Sequence, residues 1–394
     1  MAHSVRLAPS QVDYLNIVRA AAAQVVLFGH ASHYYFNRGF LASGHLEQLG
    51  VLVFFLLSGF LICTSVLQKW ERTDYRFQHY VVDRGCRIFS AYVPALILVA
   101  AVDGLLRGEH GYPYEGSYTL GTWFGNLAML QDYPLFQVLR RLGVPDQLWF
   151  IRPFGSGRPF WTVAIEWWIY LFFGYLAFFT LRGRSITWRG LAILAVLGVV
   201  PVYNAMGGVG DCLSFVWALG AGVALGRHRF CRWAAVRGGV LRSRRAAVIS
   251  ALAVVAFAAM LGGRAYVTDF RVYDLQFAIF AGGILFGTLL LLGFEPFTLP
   301  APVRRGADFL ADYSYSLYLI HFTILIFIAV HRPSADLDDP LMFVAVLGVA
   351  NLAALLFWFL FERHYPVLTA AARSALDRRR LRAAEPPAAA GRAD

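Results

Sequence analysis

Long apolar segments recur along this chain, at roughly 12–33, 49–68, 88–106, 159–181, 188–204, 212–227, 246–262, 275–294, 309–330 and 341–361. A helix needs about 20 apolar residues to cross the hydrocarbon core of a bilayer. In lipid every backbone N–H and C=O must be paired within the protein, which leaves helices as the spanning structure for runs of this kind. The expected fold class is therefore an all-α polytopic membrane protein with about ten transmembrane helices. The sixth and seventh runs are short and must extend into their flanks to span. Composition agrees: 58% of the 394 residues are hydrophobic and 15% charged, against about 25% charged in soluble domains. The first run carries Arg19 and is followed by further spans, so it reads as a retained helix rather than a cleaved leader.

The net charge is +11, and of the 35 basic residues all but Lys69 are arginine. A basic chain can bind nucleic acid. Here most of the arginines lie between apolar runs, which is the placement of loops facing anionic lipid headgroups. Membrane lipids are thus the expected partners and nucleic acid is not. One set of loops holds Lys69, Arg72, Arg76 and Arg84, then Arg182, Arg184 and Arg189, then the cluster from Arg227 to Arg245, then Arg304 and Arg305, then the tail from Arg363 to Arg392. The alternate short loops hold only Arg38, Arg264, Arg271 and Arg332. This bias puts both termini in the cytoplasm. The 107–158 loop is long and counts little in that rule. Within it Leu120–Leu130 is too short to span and reads as an interfacial or re-entrant helix. Its aromatic residues, among them Tyr112, Tyr114, Tyr118, Trp123, Tyr133, Trp149 and Phe150, fit either an interface belt or a platform for sugar rings. Residues 1–372 read as one transmembrane domain. Residues 373–394 read as an Arg-, Ala- and Pro-rich cytoplasmic tail, frayed helix passing into disorder. The four cysteines show no zinc spacing and no extracytoplasmic pair, so neither a metal site nor a disulfide is expected.

Ionisable residues inside spans are costly and need a reason. Arg19 and His30 lie eleven residues apart in the first helix, which brings them to within about 20° of one face and about 16 Å apart along the axis. Glu166 lies about seven residues into the fourth span and His321 about twelve into the ninth. The chain directions set His30, Glu166 and His321 at similar depth in the outer half. Histidine beside a carboxylate is the usual means of deprotonating a hydroxyl near neutral pH. The bland alternative is a polar cluster that holds helices together. Arg84 and Arg87, spaced i, i+3 before the third span, share a face and can clamp phosphates, or serve only as topology anchors.

These residues sit in segments that resemble the membrane acyltransferase-3 family, from Tyr14 to about Pro366. YLNIVRAAAAQVVLFGH carries the family's Arg–ten residues–His element as Arg19 and His30. FFLLSGFLI, with Ser58, resembles its second-helix motif, and RGCR supplies Arg84 and Arg87. FWTVAIEWWIY resembles its Trp-Ser-Leu-x-x-Glu stretch, aligning Trp161, Glu166 and Tyr170. YSYSLYLIHF, with Ser314, Tyr318 and His321, resembles its Ser-Tyr-x-x-Tyr-Leu-x-His segment. Asn16 stands where an aspartate is common, Ser90 replaces a frequent proline, and FERHYP spaces Glu362 and Pro366 more widely than usual.

The resemblance implies an O-acyltransferase in the bacterial cytoplasmic membrane. It has no tightly bound cofactor and uses cytoplasmic acyl-CoA, most often acetyl-CoA, as co-substrate. Arg84 and Arg87 are expected to hold the donor's phosphates. His30 is expected to act as base or acyl carrier, with Glu166 orienting it and Arg19 on the same face. Ser58, Trp161, Tyr170, Ser314, Tyr318 and His321 are expected to line the site. The acceptor is expected to be a hydroxyl of a surface or exported glycan, free or lipid-linked. A lipid or small-molecule acceptor is the alternative, and a transporter or flippase is a further rival, although no inverted repeat supports it.

Overall fold

A computed structural model describes residues 6–35, 46–131, 133–134, 139, 141–144, 150–181, 187–206, 212–236, 244–267, 275–294, 297–332 and 339–384. Arg38, Trp149, Arg182, Arg184, Arg271 and the tail beyond Ala384, all named above, lie outside the described residues.

Every described element is helical. In chain order they are α1 (Pro9–Tyr35), α2 (Leu46–Gln68), α3 (Phe77–Leu106), α4 (Leu120–Leu127), α5 (Phe160–Tyr175), α6 (Trp188–Ala205), α7 (Leu213–Val236), α8 (Arg244–Val267), α9 (Leu275–Phe294), α10 (Ala301–Asp312), α11 (Ser314–Val330), α12 (Pro340–Leu360) and α13 (Tyr365–Ala384). All ten apolar runs are helical. Among the described residues, eight helices are long and apolar enough to cross a bilayer, or nine when the bent pair α10–α11 counts as one. The run at 212–227 became α7, which fails that test because Arg227, Arg229 and Arg232 occupy its last turns.

Local chemistry sets several helix starts. Thr187 accepts from the Gly190 N–H at 3.1 Å to begin α6, and Asp339 accepts from the Leu341 N–H at 2.9 Å with Pro340 in the first turn of α12. Such caps satisfy backbone donors that a helix leaves unpaired. The expected interfacial helix is α4. It exposes Leu120 and Phe124 but is tied into the bundle by buried Asn126, which donates to the Arg152 carbonyl at 2.8 Å and accepts from the Phe154 N–H at 3.1 Å.

Close packing in a membrane relies on small residues that let backbones approach. The tightest case joins α2 and α7. A methyl group at Gly59 would overlap the Trp217 carbonyl, and one at Gly220 would overlap the Leu56 carbonyl. The outer faces of α8 and α12 instead present Ile249, Leu252, Val255, Val344 and Leu352, an apolar exterior suited to lipid. The core of α1, α2, α3, α5 and α11 surrounds the polar residues.

α10 ends at Asp312, and α11 leaves at 57° to it. The Arg19 guanidinium donates to the Ala311 carbonyl at 2.6 Å, meeting the carbonyl end of α10 where positive charge is favourable. Asn16 donates to Asp308 at 2.8 Å.

α13 continues past Arg373 as a helix to Ala384. Arg373 makes a two-point ion pair with Asp83 of α3, and His79 lies 3.0 Å from Asp377.

Candidate functional site

A cavity of about 220 Å³ opens among α1, α2, α3, α5 and α11. Its lining includes Arg19, Ser58, Arg84, Arg87, Thr162, Glu166, Tyr170, Ser314 and Tyr318. Five sequence segments far apart in the chain therefore deliver their polar residues to one space. Trp161, expected to line the site, packs against the core outside this lining, and neither His30 nor His321 is among the lining residues.

Glu166 is the one acidic side chain among the lining residues. The Tyr170 hydroxyl, one turn on, donates to it at 2.6 Å. That commits the phenolic proton, so Ser58, 2.8 Å away, donates to the Tyr170 oxygen. Trp217 donates its indole N–H to Ser58 at 3.1 Å. The chain of donors Trp217, Ser58, Tyr170 ends on the Glu166 carboxylate and polarises in one direction. It depends on the α2–α7 contact, because the carbonyl that abuts Gly59 belongs to Trp217.

The two arginines of α3 are not equivalent. Arg87 lies 2.6 Å from the Glu362 carboxylate, which is fully buried. Glu362 also accepts from the Ser316 N–H at 3.0 Å and its hydroxyl at 2.5 Å. The Arg87 guanidinium lies over the Tyr365 ring at 4.7 Å and the Tyr315 ring at 5.7 Å. Arg84 makes no hydrogen bond or ion pair with any described residue, and its Nε is buried without a partner. One guanidinium is held in place and the other is free to meet an anion.

The expected contact between His30 and Glu166 does not form. No hydrogen bond or ion pair joins them. The His30 ring instead stacks on His321, with centroids 5.3 Å apart and 28° between planes, and meets Phe322 edge-on at 5.1 Å. His321 is fully buried, and its Nδ1 lies 2.9 Å from both the Leu317 and Tyr318 carbonyls. Only a protonated Nδ1 can donate to two carbonyls, so in the neutral ring Nε2 carries the lone pair. That Nε2 has no partner. Tyr318 joins the two groups: its ring lies 6.1 Å from His321, and its hydroxyl is 2.5 Å from that of Thr162, one turn before Glu166. The shared face of Arg19 and His30 does appear, since Arg19 meets Ala311 before α11 and His30 meets His321 within it.

Two fully buried carboxylates were given no role by the sequence reading. Glu362 follows the last span, and Asp103 lies near the end of α3. Asp103 accepts from the Ser156 N–H at 2.6 Å and the Ser156 hydroxyl at 2.7 Å. Gly155, at φ +52°, is required there, because a methyl group would overlap the Asp103 carboxylate. Burial, together with Asp103, keeps the neighbouring Tyr112 hydroxyl un-ionised, far above the ordinary phenol range. The loop anchored in this way carries Arg158, whose guanidinium lies 6.0 Å from the Tyr114 ring. Tyr114 and Tyr34 both pack near Phe322. Both carboxylates carry the signal applied to Glu166, an acid within or beside an apolar run.

Comparison with known proteins bears on this arrangement. The family model described as "Acyltransferase domain" matches residues 12–361. Among curated proteins, the chain is 23% identical over 385 residues to the peptidoglycan O-acetyltransferase OatA of Listeria monocytogenes serovar 1/2a, covering 89% of this chain and 54% of that protein. The chain thus spans about half the length of the curated relative it matches. No solved structure matches it.

Proposed function

We propose, for a chain that belongs to the acyltransferase-3 family, that it is an integral-membrane O-acyltransferase. In this reading it moves an acetyl group from acetyl-CoA to a hydroxyl of a surface or exported glycan. It sits in the bacterial cytoplasmic membrane with both termini in the cytoplasm. The observation that carries the proposal is the convergence of Arg19, Ser58, Arg84, Arg87, Glu166, Tyr170, Ser314 and Tyr318 on one cavity. Three guanidiniums among these residues suit an anionic donor, and the apolar walls formed by Val51, Phe54, Leu57 and Leu61 suit its extended arm.

Transfer breaks the acyl carbon–sulfur bond and forms an acyl carbon–oxygen bond. The acceptor proton passes to a base and from there to the departing thiolate. His30 is that base. Neutral imidazole is the form required, and stacking on a neutral His321 avoids a charge that would oppose proton uptake. Glu166 acts from the cavity side. It fixes the Tyr170 and Ser58 hydroxyls and opposes the charge of the arginines. On the acceptor side, Tyr34, Tyr114 and Phe322 offer aromatic faces around His30, and Arg158 offers a cation. Aromatic faces suit sugar rings, which favours a glycan. The relative's printed name, a peptidoglycan O-acetyltransferase, points the same way. Mass spectrometry of surface glycans from cells with and without the gene tests this. Loss of an O-acyl mass from one glycan is the expected result, and unchanged glycans would refute the acceptor class.

A further inference from the structure

A second cleft, of about 400 Å³, lies beside the cavity and is lined by Asp83, Arg84, Arg87, Tyr365, Pro366, Thr369, Ala370 and Arg373. It shares Arg84 and Arg87 with the cavity. One wall is the first third of α3. The other is α13, which lies beyond residue 361, where the family match stops. The match therefore does not account for this wall.

The charges in the cleft are uneven. Its one carboxylate, Asp83, is already neutralised: Lys69 lies 3.1 Å away, Tyr75 donates at 2.8 Å, and Arg373 pairs with it through two nitrogens. Arg373 and Asp83 thus serve as a strap that fixes α13 to α3. Arg84 has no partner among the described residues, Arg87 is paired with Glu362 at 2.6 Å, and Lys69 and Arg373 together outweigh Asp83. The surplus is positive and faces the shared boundary of the two spaces, so a ligand there is an anion. One extended molecule with phosphates at one end and an uncharged arm fills both.

We infer that the α3–α13 cleft holds the phosphorylated nucleotide end of the acyl-CoA donor, with α13 as a wall of the donor site. The inference rests on the acyl-CoA reading above. Phosphates meet Arg84 and Arg87 at the boundary, and the thioester arm passes inward toward Ser58 and Glu166. An anionic lipid headgroup has the same phosphate chemistry and is the competing occupant.

Ala370 offers a clean probe. It lines the cleft and is exposed on a helix, so Glu and Arg are tolerated there with little change in helix propensity. CoA binding is measured by calorimetry on the full chain in neutral phosphatidylcholine nanodiscs. Ala370→Glu should raise the Kd for CoA at least about tenfold, and Ala370→Arg should lower it about two- to threefold. The gap between them should shrink as salt rises. Ala370→Trp, which fills the cleft, should lower the ratio of kcat/KM for acetyl-CoA over acetyl-pantetheine at least about tenfold. Identical CoA affinities across the series would overturn the cleft assignment while leaving the donor reading intact. Displacement of CoA by added phosphatidylglycerol, with tighter lipid than CoA binding, would assign the cleft to lipid instead. Absence of any CoA binding by the unaltered chain would remove both readings.

Discussion

Replacing Glu362 by glutamine removes a charge while keeping the shape, and the structure sets the cost. The Glu362 carboxylate is fully buried and lies 2.6 Å from an Arg87 nitrogen, and its other oxygen receives two donors from Ser316. Removing one member of a buried ion pair costs about 3–5 kcal/mol when the survivor is stranded. Arg87 is not wholly stranded, because its side chain is 27% exposed and faces the rings of Tyr365 and Tyr315. Each ring contact offsets about 0.5–2 kcal/mol. The amide oxygen of glutamine still accepts from Ser316. The expected loss for Glu362→Gln is therefore about 2–3 kcal/mol. A double-mutant cycle with Arg87→Met isolates the pair. Reversible denaturant unfolding in detergent, followed by tryptophan fluorescence, should show the double variant less destabilised than the sum of the singles by about 2 kcal/mol. Additivity within about 0.5 kcal/mol would show that Arg87 and Glu362 do not act together and would refute the claim that Arg87 is held for its role.

The remaining predictions follow from the same contacts. Arg84→Gln should raise the KM for acyl-CoA about tenfold or more, the loss of one charge-assisted contact, without lowering the unfolding midpoint; an unchanged KM would reduce Arg84 to a topology anchor. Glu166→Gln should fold normally and lose most of its kcat, and near-normal turnover at neutral pH would make Glu166 structural only. Gly59→Ala should push α2 from α7 at a cost of about 1–3 kcal/mol and shift the Trp217 emission, because the Trp217–Ser58 hydrogen bond is lost; an unaltered spectrum and midpoint would contradict the close approach.

How much of this was legible in the sequence depends on which coordinate is asked for. Apolar periodicity located all ten helical runs, since burial in lipid is written in residue type. The i, i+11 spacing set Arg19 and His30 on one face, as found. Counting residues from span ends gives an expected depth for His30, Glu166 and His321, but depth leaves the angle around each axis and the choice of neighbour open. Those are set by packing: the close approach of α2 and α7 at Gly59 and Gly220 brings Trp217 to Ser58, and α11 lays His321 against His30 while Glu166 meets Tyr170 within α5. Glu362 and Asp103 were readable as acids in or beside apolar runs, yet nothing local named Arg87 or Ser156 as their partners. The docking of α13 on α3 was hidden because its composition is that of a solvated segment. Its attachment through Arg373 and Asp83 joins residues 290 apart in sequence.

The central claim is that His30 accepts the proton of an acceptor hydroxyl while the arginines hold the donor elsewhere. Purified His30→Ala, assayed beside the unaltered chain for transfer of labelled acetyl from acetyl-CoA to an acceptor glycan and for CoA binding in the same preparation, tests it most directly. The account predicts transfer lowered at least about 100-fold, the lower range for removing a general base, with the Kd for CoA within about twofold of the unaltered chain. Retention of more than a few per cent of turnover, or a parallel collapse of CoA binding, would contradict it.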